Sequence, residues 1–189
     1  MSGLDEMQSL SDRDDDIVEL EQKLEALDTF SQRTTDLAVL QAADEAGIRA
    51  YILMPPDVYG VGSGLFNTLS SQIPDLVRSA ISHGAPAFVE NGTGQVGHVH
   101  VRDLAALYGV LLGNILEGIN VPSGWKGIYF CSTGTHSWKH VAHILGSIGE
   151  NIGVFDGKHP ISIGIEEATR RWTGGDIRDL KLGYCARYA

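Results

Sequence analysis

The run Ile48-Arg49-Ala50-Tyr51-Ile52-Leu53-Met54 stops at two consecutive prolines, Pro55 and Pro56. A short apolar run of this kind reads as a buried strand, and a second proline removes a second ladder donor, so the strand must end there. Ahead of it stands a helical pattern. Ile17, Leu20, Leu24 and Leu27 recur at helical spacing through residues 14–28, with Asp14 to Asp16 at the end where the helix dipole favours negative charge. Thr34-Thr35-Asp36 can cap a second helix carrying Leu37, Leu40, Ala43 and Ala46, which Gly47 stops. The step into residues 48–54 is therefore helix, then strand.

The alternation continues. Residues 67–83 are helical in composition and interrupted by Pro74, and 87–90 form a short strand turning at Asn91-Gly92. Residues 96–101 form another strand, and 103–116 a strongly periodic helix with Leu104, Leu107, Leu111, Leu112 and Ile115 apolar. A strand at 127–132, a helix at 136–148, a short strand at 161–163 and a helix at 165–172 complete the pattern. Strands alternating with helices of about a dozen residues argue for an α/β fold, against an all-α bundle or a sandwich.

Composition narrows the class of function. At 189 residues the chain is the size of one domain. No apolar run approaches the roughly 20 residues that span a bilayer, so no membrane association is expected. The net charge of -10 is concentrated: residues 1–30 hold ten acids against Arg13 and Lys23. Without a basic face there is no source for the phosphate-neutralising term of nucleic-acid binding. Cys131 and Cys185 form no CxxC pair, which points to reduced thiols, and the acidic start lacks a secretory or transit pattern. A cytoplasmic protein is expected.

Three groups of residues have chemical interest. The loop 55–64, with Tyr59 and Gly60, Gly62 and Gly64, leaves the carboxyl end of a strand, where open α/β sheets place ligands. Its Gly-x-Gly-x-Gly spacing is not a dinucleotide fingerprint. His98 and His100 alternate with Val99 and Val101, so a strand turns both imidazoles to one side. His136, His140 and His143 can share a helical face, but no carboxylate completes a zincin pattern and no metal is expected. There is no Gly-x-Ser-x-Gly elbow, Walker A sequence or Tyr-x-x-x-Lys pair, so no catalytic residue is assigned.

Two stretches resemble a known family. Tyr51-Ile52-Leu53-Met54-Pro55-Pro56-Asp57-Val58-Tyr59-Gly60-Val61-Gly62 is similar to the strand and Arg-Pro-x-x-x-Tyr-Gly-x-Gly element of the extended short-chain dehydrogenase/reductases, the NAD-dependent epimerase/dehydratases. Val99-His100-Val101-Arg102-Asp103-Leu104-Ala105 resembles their downstream Val-His-Val-x-Asp-Leu-Ala element, with Ser71-Gln72-Ile73-Pro74 between the two. The order and spacing resemble an atypical subgroup common in fungi. Met54 stands where many members carry arginine, and Asp57 where asparagine is frequent.

The resemblance implies a partial Rossmann-like sheet, later strands only, with a carboxyl-terminal substrate-side subdomain. Residues 1–13 are then a mobile acidic start and 14–189 a truncated NAD(P)-binding-type α/β domain. The chain corresponds to the later part of a family member, a fragment without the glycine-rich βαβ unit. The implied cofactor is NAD or NADP, which the family holds with that unit, so binding by this chain alone is not implied. By resemblance Pro55, Pro56, Asp57 and Tyr59 lie toward the cofactor, and Gly60, Gly62, Asn67 and His100 toward the substrate. The implied activity is NAD(P)-linked oxidoreduction, epimerisation or dehydration of a small hydroxy or carbonyl compound. The alternative is a non-catalytic ligand-sensing or protein-binding relative on the same scaffold. A sheet without its first strands has an edge that needs cover, which a homo-oligomer would supply.

Overall fold

A computed structural model describes residues 10–156 and 159–184. In chain order the elements are α1 (Ile17–Leu27), α2 (Ser31–Glu45), β1 (Ile52–Met54), β2 (Asp57–Tyr59), α3 (Gln72–His83), β3 (Ala87–Val89) and β4 (Gln95–His100). There follow α4 (Val101–Leu116), a 3-10 turn at Gly124–Lys126, β5 (Ile128–Phe130), β6 (Gly134–Ser137), α5 (Trp138–Asn151), β7 (Ile161–Ile163), α6 (Ile165–Trp172) and α7 (Ile177–Tyr184). The α/β layering expected from the alternation is present. Among the described residues no helix is long and apolar enough to cross a membrane.

The chain divides into two compact units. The first takes the described residues up to 55 together with 103–131. Here β1 and β5 pair in parallel, Ile52 opposite Ile128, and their apolar side chains pack with Ile17, Val18 and the fully buried Leu40. The Asp16 carboxylate caps α1 by accepting the Glu19 N–H at 2.9 Å. Helix α2 begins three residues before the cap expected at Thr34. Phe30 supplies no capping side chain, and the Thr34 hydroxyl instead donates back to the Phe30 carbonyl. Buried Arg33 ties the helix pair together, with Nε 2.8 Å from Glu21 and Nη1 donating to the Asp28 carbonyl at 3.0 Å. Of the expected mobile start, residues 1–9 lie outside the described residues. Asp12 accepts the Phe130 N–H at 2.8 Å, which ties this segment to β5. On α4 the stripe of Leu104, Leu107, Leu111 and Ile115 is half-buried, while Tyr108, Val110, Leu112 and Leu116 are exposed.

The second unit takes 56–102 and the described residues from 132 onward. A three-stranded sheet runs β2-β4-β6, with β2 parallel and β6 antiparallel to β4. Strands β3 and β4 are sequence neighbours but pair elsewhere, β3 running parallel to β7. Its core gathers Leu76, Val89, Trp138, Ile163, Trp172, Leu180 and Tyr184.

Three expectations change here. The stretch after Pro55-Pro56 is not wholly loop: the prolines end pairing with β5, and Asp57, the first residue with a free N–H, opens β2 in a different sheet. Pro74 does not interrupt α3, which starts at Gln72 and holds the proline in its first turn, where no N–H is needed. The helix expected from His136 starts at Trp138. Residues 134–137 pair with β4 instead, and the Ser137 side chain accepts the His140 N–H at 3.2 Å as the cap. His136 therefore leaves the helical face it was expected to share with His140 and His143.

Candidate functional site

Strand register in the three-stranded sheet brings the site together. Parallel pairing sets Asp57 opposite His98 and Tyr59 opposite His100, and antiparallel pairing sets Val96 opposite His136. Period-two alternation buries Val99 at 2% exposure and turns His98 and His100 to the other side, as the sequence pattern requires. The Tyr59 ring stands edge-on to both, with centroids 5.6 Å from His98 and 5.2 Å from His100. His100 also ends the strand: its Nδ1 accepts the Arg102 N–H at 3.2 Å, so α4 starts at Val101 with a histidine cap. Asp103, expected to order that helix start, lies within its first turn.

On the same face, where register also turns Asp57 and His136, lies a buried polar pair. His136 Nδ1 is 3.0 Å from His98 Nδ1, a hydrogen bond in which one ring donates and the other accepts. His136 Nε2 lies 4.0 Å from Asp57 Oδ2, beyond hydrogen-bond reach. Both Asp57 oxygens and His136 Nε2 are buried without a partner. Burial holds the Asp57 carboxyl up at about 6, against a weaker pull from His98. Burial also pushes the His136 imidazole below its ordinary range, and the charges of His98 and His140 add to that. Trp138 stands edge-on to His136 at 4.9 Å and locks the ring. Tyr184 packs behind Trp138, its phenol raised by burial first and then by the charge of Asp75.

Gly60 belongs to this site for a geometric reason. Its φ is +98°, and a Cβ there would sit 2.3 Å from His100 Nε2. Alanine is thus strained by the backbone and also requires the His100 ring to shift. Gly60→Ala is expected to cost about 1–3 kcal/mol, read as a lower midpoint in urea unfolding. A variant as stable as the wild type would show that neither the positive φ nor the His100 ring constrains this position.

Of the residues singled out in the sequence, Asp57, Tyr59, Gly60 and His100 come together. Pro56 packs on Gly97, where a Cβ would meet the proline Cβ at 3.1 Å. Pro55 follows β1 in the first unit. Gly62 and Asn67 make their contacts within the 60–71 connection: the Gly62 N–H donates to the Thr68 carbonyl and Asn67 Oδ1 accepts from Leu69. His136 is the residue sequence reasoning misplaced, because it was assigned to a helix; Trp138 is in the expected helix, and only the fold sets its ring against His136. Another spacing also went unread. Gly92-Thr93-Gly94-Gln95-Val96-Gly97 has the Gly-x-Gly-x-x-Gly form, yet it joins two strands and opens no helix. A phosphate cradle needs a helix N-terminus at that point, so this turn does not fit a dinucleotide. Among the described residues no group of three or more His, Cys, Asp or Glu side chains is placed to hold a metal ion.

Residues 29–121 match the model of the NAD dependent epimerase/dehydratase family. That segment resembles members of this family. It includes Asp57, Tyr59, His98 and His100, while His136 lies beyond it. The chain is 27% identical over 129 residues to the oxidase ucsJ of an Acremonium species, which covers 64% of this chain and 37% of the oxidase. In fold it is similar to DesIV, a dTDP-glucose 4,6-dehydratase of Streptomyces venezuelae whose structure holds NAD, with a TM-score of 0.50 at 17% identity over 82% of this chain and 44% of that one. It is also similar to the PbgP3 protein of Burkholderia pseudomallei, with a TM-score of 0.52 at 13% identity over 82% of this chain and 51% of that one. The epimerase/dehydratase segment thus sits in a chain that spans about half, or less, of the length of these relatives. Parallel pairing of β1 with β5, the latter beyond that segment, gives the small parallel sheet of a partial Rossmann-like fold.

Proposed function

We propose that this chain forms the substrate-side part of an NAD(P)-linked oxidoreductase, epimerase or dehydratase acting on a small hydroxy or carbonyl compound. The observation that carries the reading is the cluster of Tyr59, His98 and His100 on one sheet face, which the register extends to His136 and Asp57. Four of these five residues lie within the epimerase/dehydratase segment. Such groups move protons at an oxygen, which carbonyl and hydroxyl chemistry requires. In this reading Pro55, Pro56, Asp57 and Tyr59 belong to the nicotinamide end, and Gly60, Gly62, Asn67 and His100 to the substrate end. NAD(P) supplies the hydride chemistry when bound. Its pyrophosphate finds no cradle among the described residues, so a glycine-rich βαβ unit beyond them is part of the proposal. The setting is cytoplasmic, and the partners are a small-molecule substrate and a second copy of the chain.

The test is titration of the chain with NADH and NADPH, followed by nicotinamide fluorescence. With only the nicotinamide end present, a saturable signal in the millimolar range is expected, weakened by Tyr59→Ala. No binding of either cofactor at millimolar concentration removes NAD(P) from the reading for this polypeptide. The second reading, a non-catalytic ligand-binding relative, would then stand, favoured by the absence of a Tyr-x-x-x-Lys pair in the sequence.

A further inference from the structure

We propose that Asp57, His136 and His98 form a proton relay whose open end, His98 Nε2, gives or takes a proton at a hydroxyl or carbonyl oxygen of a small ligand held against Tyr59. The geometry supplies one continuous line of groups. Asp57 and His136 keep only 3% and 12% of their side-chain surface, whereas His98 is half-buried and so forms the open end. A Cβ at Gly134 would lie 3.0 Å from His98 Nε2, so glycine there leaves that nitrogen free of a covering side chain.

Proton positions along the line are coupled by the one contact that must be shared. Because His98 and His136 meet Nδ1 to Nδ1, only one of the two nitrogens carries the hydrogen. In one state Asp57 is ionised, His136 carries its proton on Nε2 toward the carboxylate, and His98 donates from Nδ1, leaving His98 Nε2 a bare base. A proton taken up at His98 Nε2 releases the His98 Nδ1 proton to His136 Nδ1. The His136 Nε2 proton then passes to Asp57. The second state holds a neutral carboxylic acid, His136 protonated on Nδ1 and His98 protonated on Nε2. One proton has entered, one negative charge has gone, and neither imidazole has become a cation. The 4.0 Å gap between His136 Nε2 and Asp57 closes by about 1 Å of side-chain movement, or is bridged by one water, during the last transfer.

The surroundings make such a line useful. Two orphaned carboxylate oxygens and an orphaned imidazole nitrogen in a buried site carry a cost that a satisfied polar site avoids. A buried carboxyl held up at about 6 beside an unpartnered imidazole nitrogen puts a proton donor and a proton acceptor in one site, where transfer can run in both directions. Other titratable and charged groups face the line from each packed element. They are Tyr59 on β2, His100 on β4, His140 on α5 and Tyr184 on α7, with Asp75 and Arg78 of α3 behind Tyr184. Tyr184, held neutral, sets no charge against Asp57 in the working range. The relay supplies the acid/base that the proposed function needs, and it rests on that reading only for its use. Its protonation states can be read without cofactor or substrate.

Nitrogen-15 NMR of the histidine side chains in the 189-residue chain, with carbon-13 detection of the Asp57 carboxyl, tests the relay between pH 4.5 and 8. His98 and His136 are expected to exchange tautomers in one shared step whose midpoint coincides with that of Asp57. Asp57→Asn, with an amide spectrum that shows an intact fold, is expected to abolish that step. Should Asp57→Asn not fold, His98→Gln at the open end serves: it is expected to move the Asp57 midpoint and fix the His136 tautomer. Independent titration of the two histidines overturns the relay. So does an Asp57 midpoint unmoved by His98→Gln, or a shared step that survives in Asp57→Asn. Loss of NADH binding with the shared step intact removes the proposed function and leaves the relay. NADH binding with independent histidines does the reverse.

Discussion

Replacing Trp138 by alanine is expected to destabilise the second unit by about 3–5 kcal/mol, measured as a fall in urea midpoint at unchanged slope. Trp138 is the first residue of α5 and is 4% exposed. Its ring lies 5.5 Å from that of Tyr184, which in turn lies 4.9 Å from Trp172. Around this aromatic stack pack Leu76, Val89, Ile163 and Leu180, so the indole is the piece that joins α5 to β3, β7 and the last two helices. Little can move in to refill the space. The Ser137 cap fixes the α5 start, and β6 holds the preceding residues in register with β4. A loss of this size is a large part of the ~5–15 kcal/mol that keeps a domain folded. Phenylalanine is expected to cost less than half as much, because it keeps one ring and deletes an indole N–H that is buried without a partner. A Trp138→Ala protein within about 1 kcal/mol of the wild type would mean that this ring does not carry the core.

The contrast between Trp138 and Tyr59 explains what was legible in the sequence. Tyr59, Gly60 and His100 were accessible because each lies in a short local pattern: a proline-ended strand, a glycine that tolerates positive φ, and histidines at strand alternation. The alternation correctly turned His98 and His100 to one face without any knowledge of their neighbours. Helix α6 was readable to the residue, since its apolar positions and the following Gly174-Gly175 are all local signals. What the sequence did not disclose was pairing. Residues 134–137 carry no strong strand propensity, and only antiparallel register with β4 makes them a strand. His136 therefore looked like one turn of a helix beside His140 and His143, although its partners are His98, 38 residues away, and Asp57, 79 residues away. Asp57 itself read as a loop residue because the double proline marked an end, whereas the chain uses it to change sheets.

Asp57→Asn is expected to stabilise the protein near pH 7 and to lose that advantage on acidification. The folded carboxyl titrates at about 6 against an ordinary 3.8, so between those values the folded state binds more protons than the unfolded chain. Its contribution is therefore fully present below 3.8 and is lost as pH rises through 6. At pH 7 the ionised, buried carboxylate costs roughly 3 kcal/mol, and the isosteric amide removes that cost because it cannot ionise. His136 acts with the opposite sign. Its folded value lies below the ordinary 6.5, so stability falls as pH drops below that value and the unfolded histidine takes up protons that the folded one refuses. In the wild type the two slopes oppose each other as pH falls below 6, and the stability profile there is shallower than either group alone would give. In Asp57→Asn the histidine slope stands alone, so the variant is more stable at neutral pH yet steeper in its acid loss. Urea unfolding of both proteins at pH 4.5, 5.5 and 7 reads the difference directly. A gap between them that does not change with pH would mean that Asp57 ionises in the folded protein as it does in the unfolded chain, and that its burial has no electrostatic consequence.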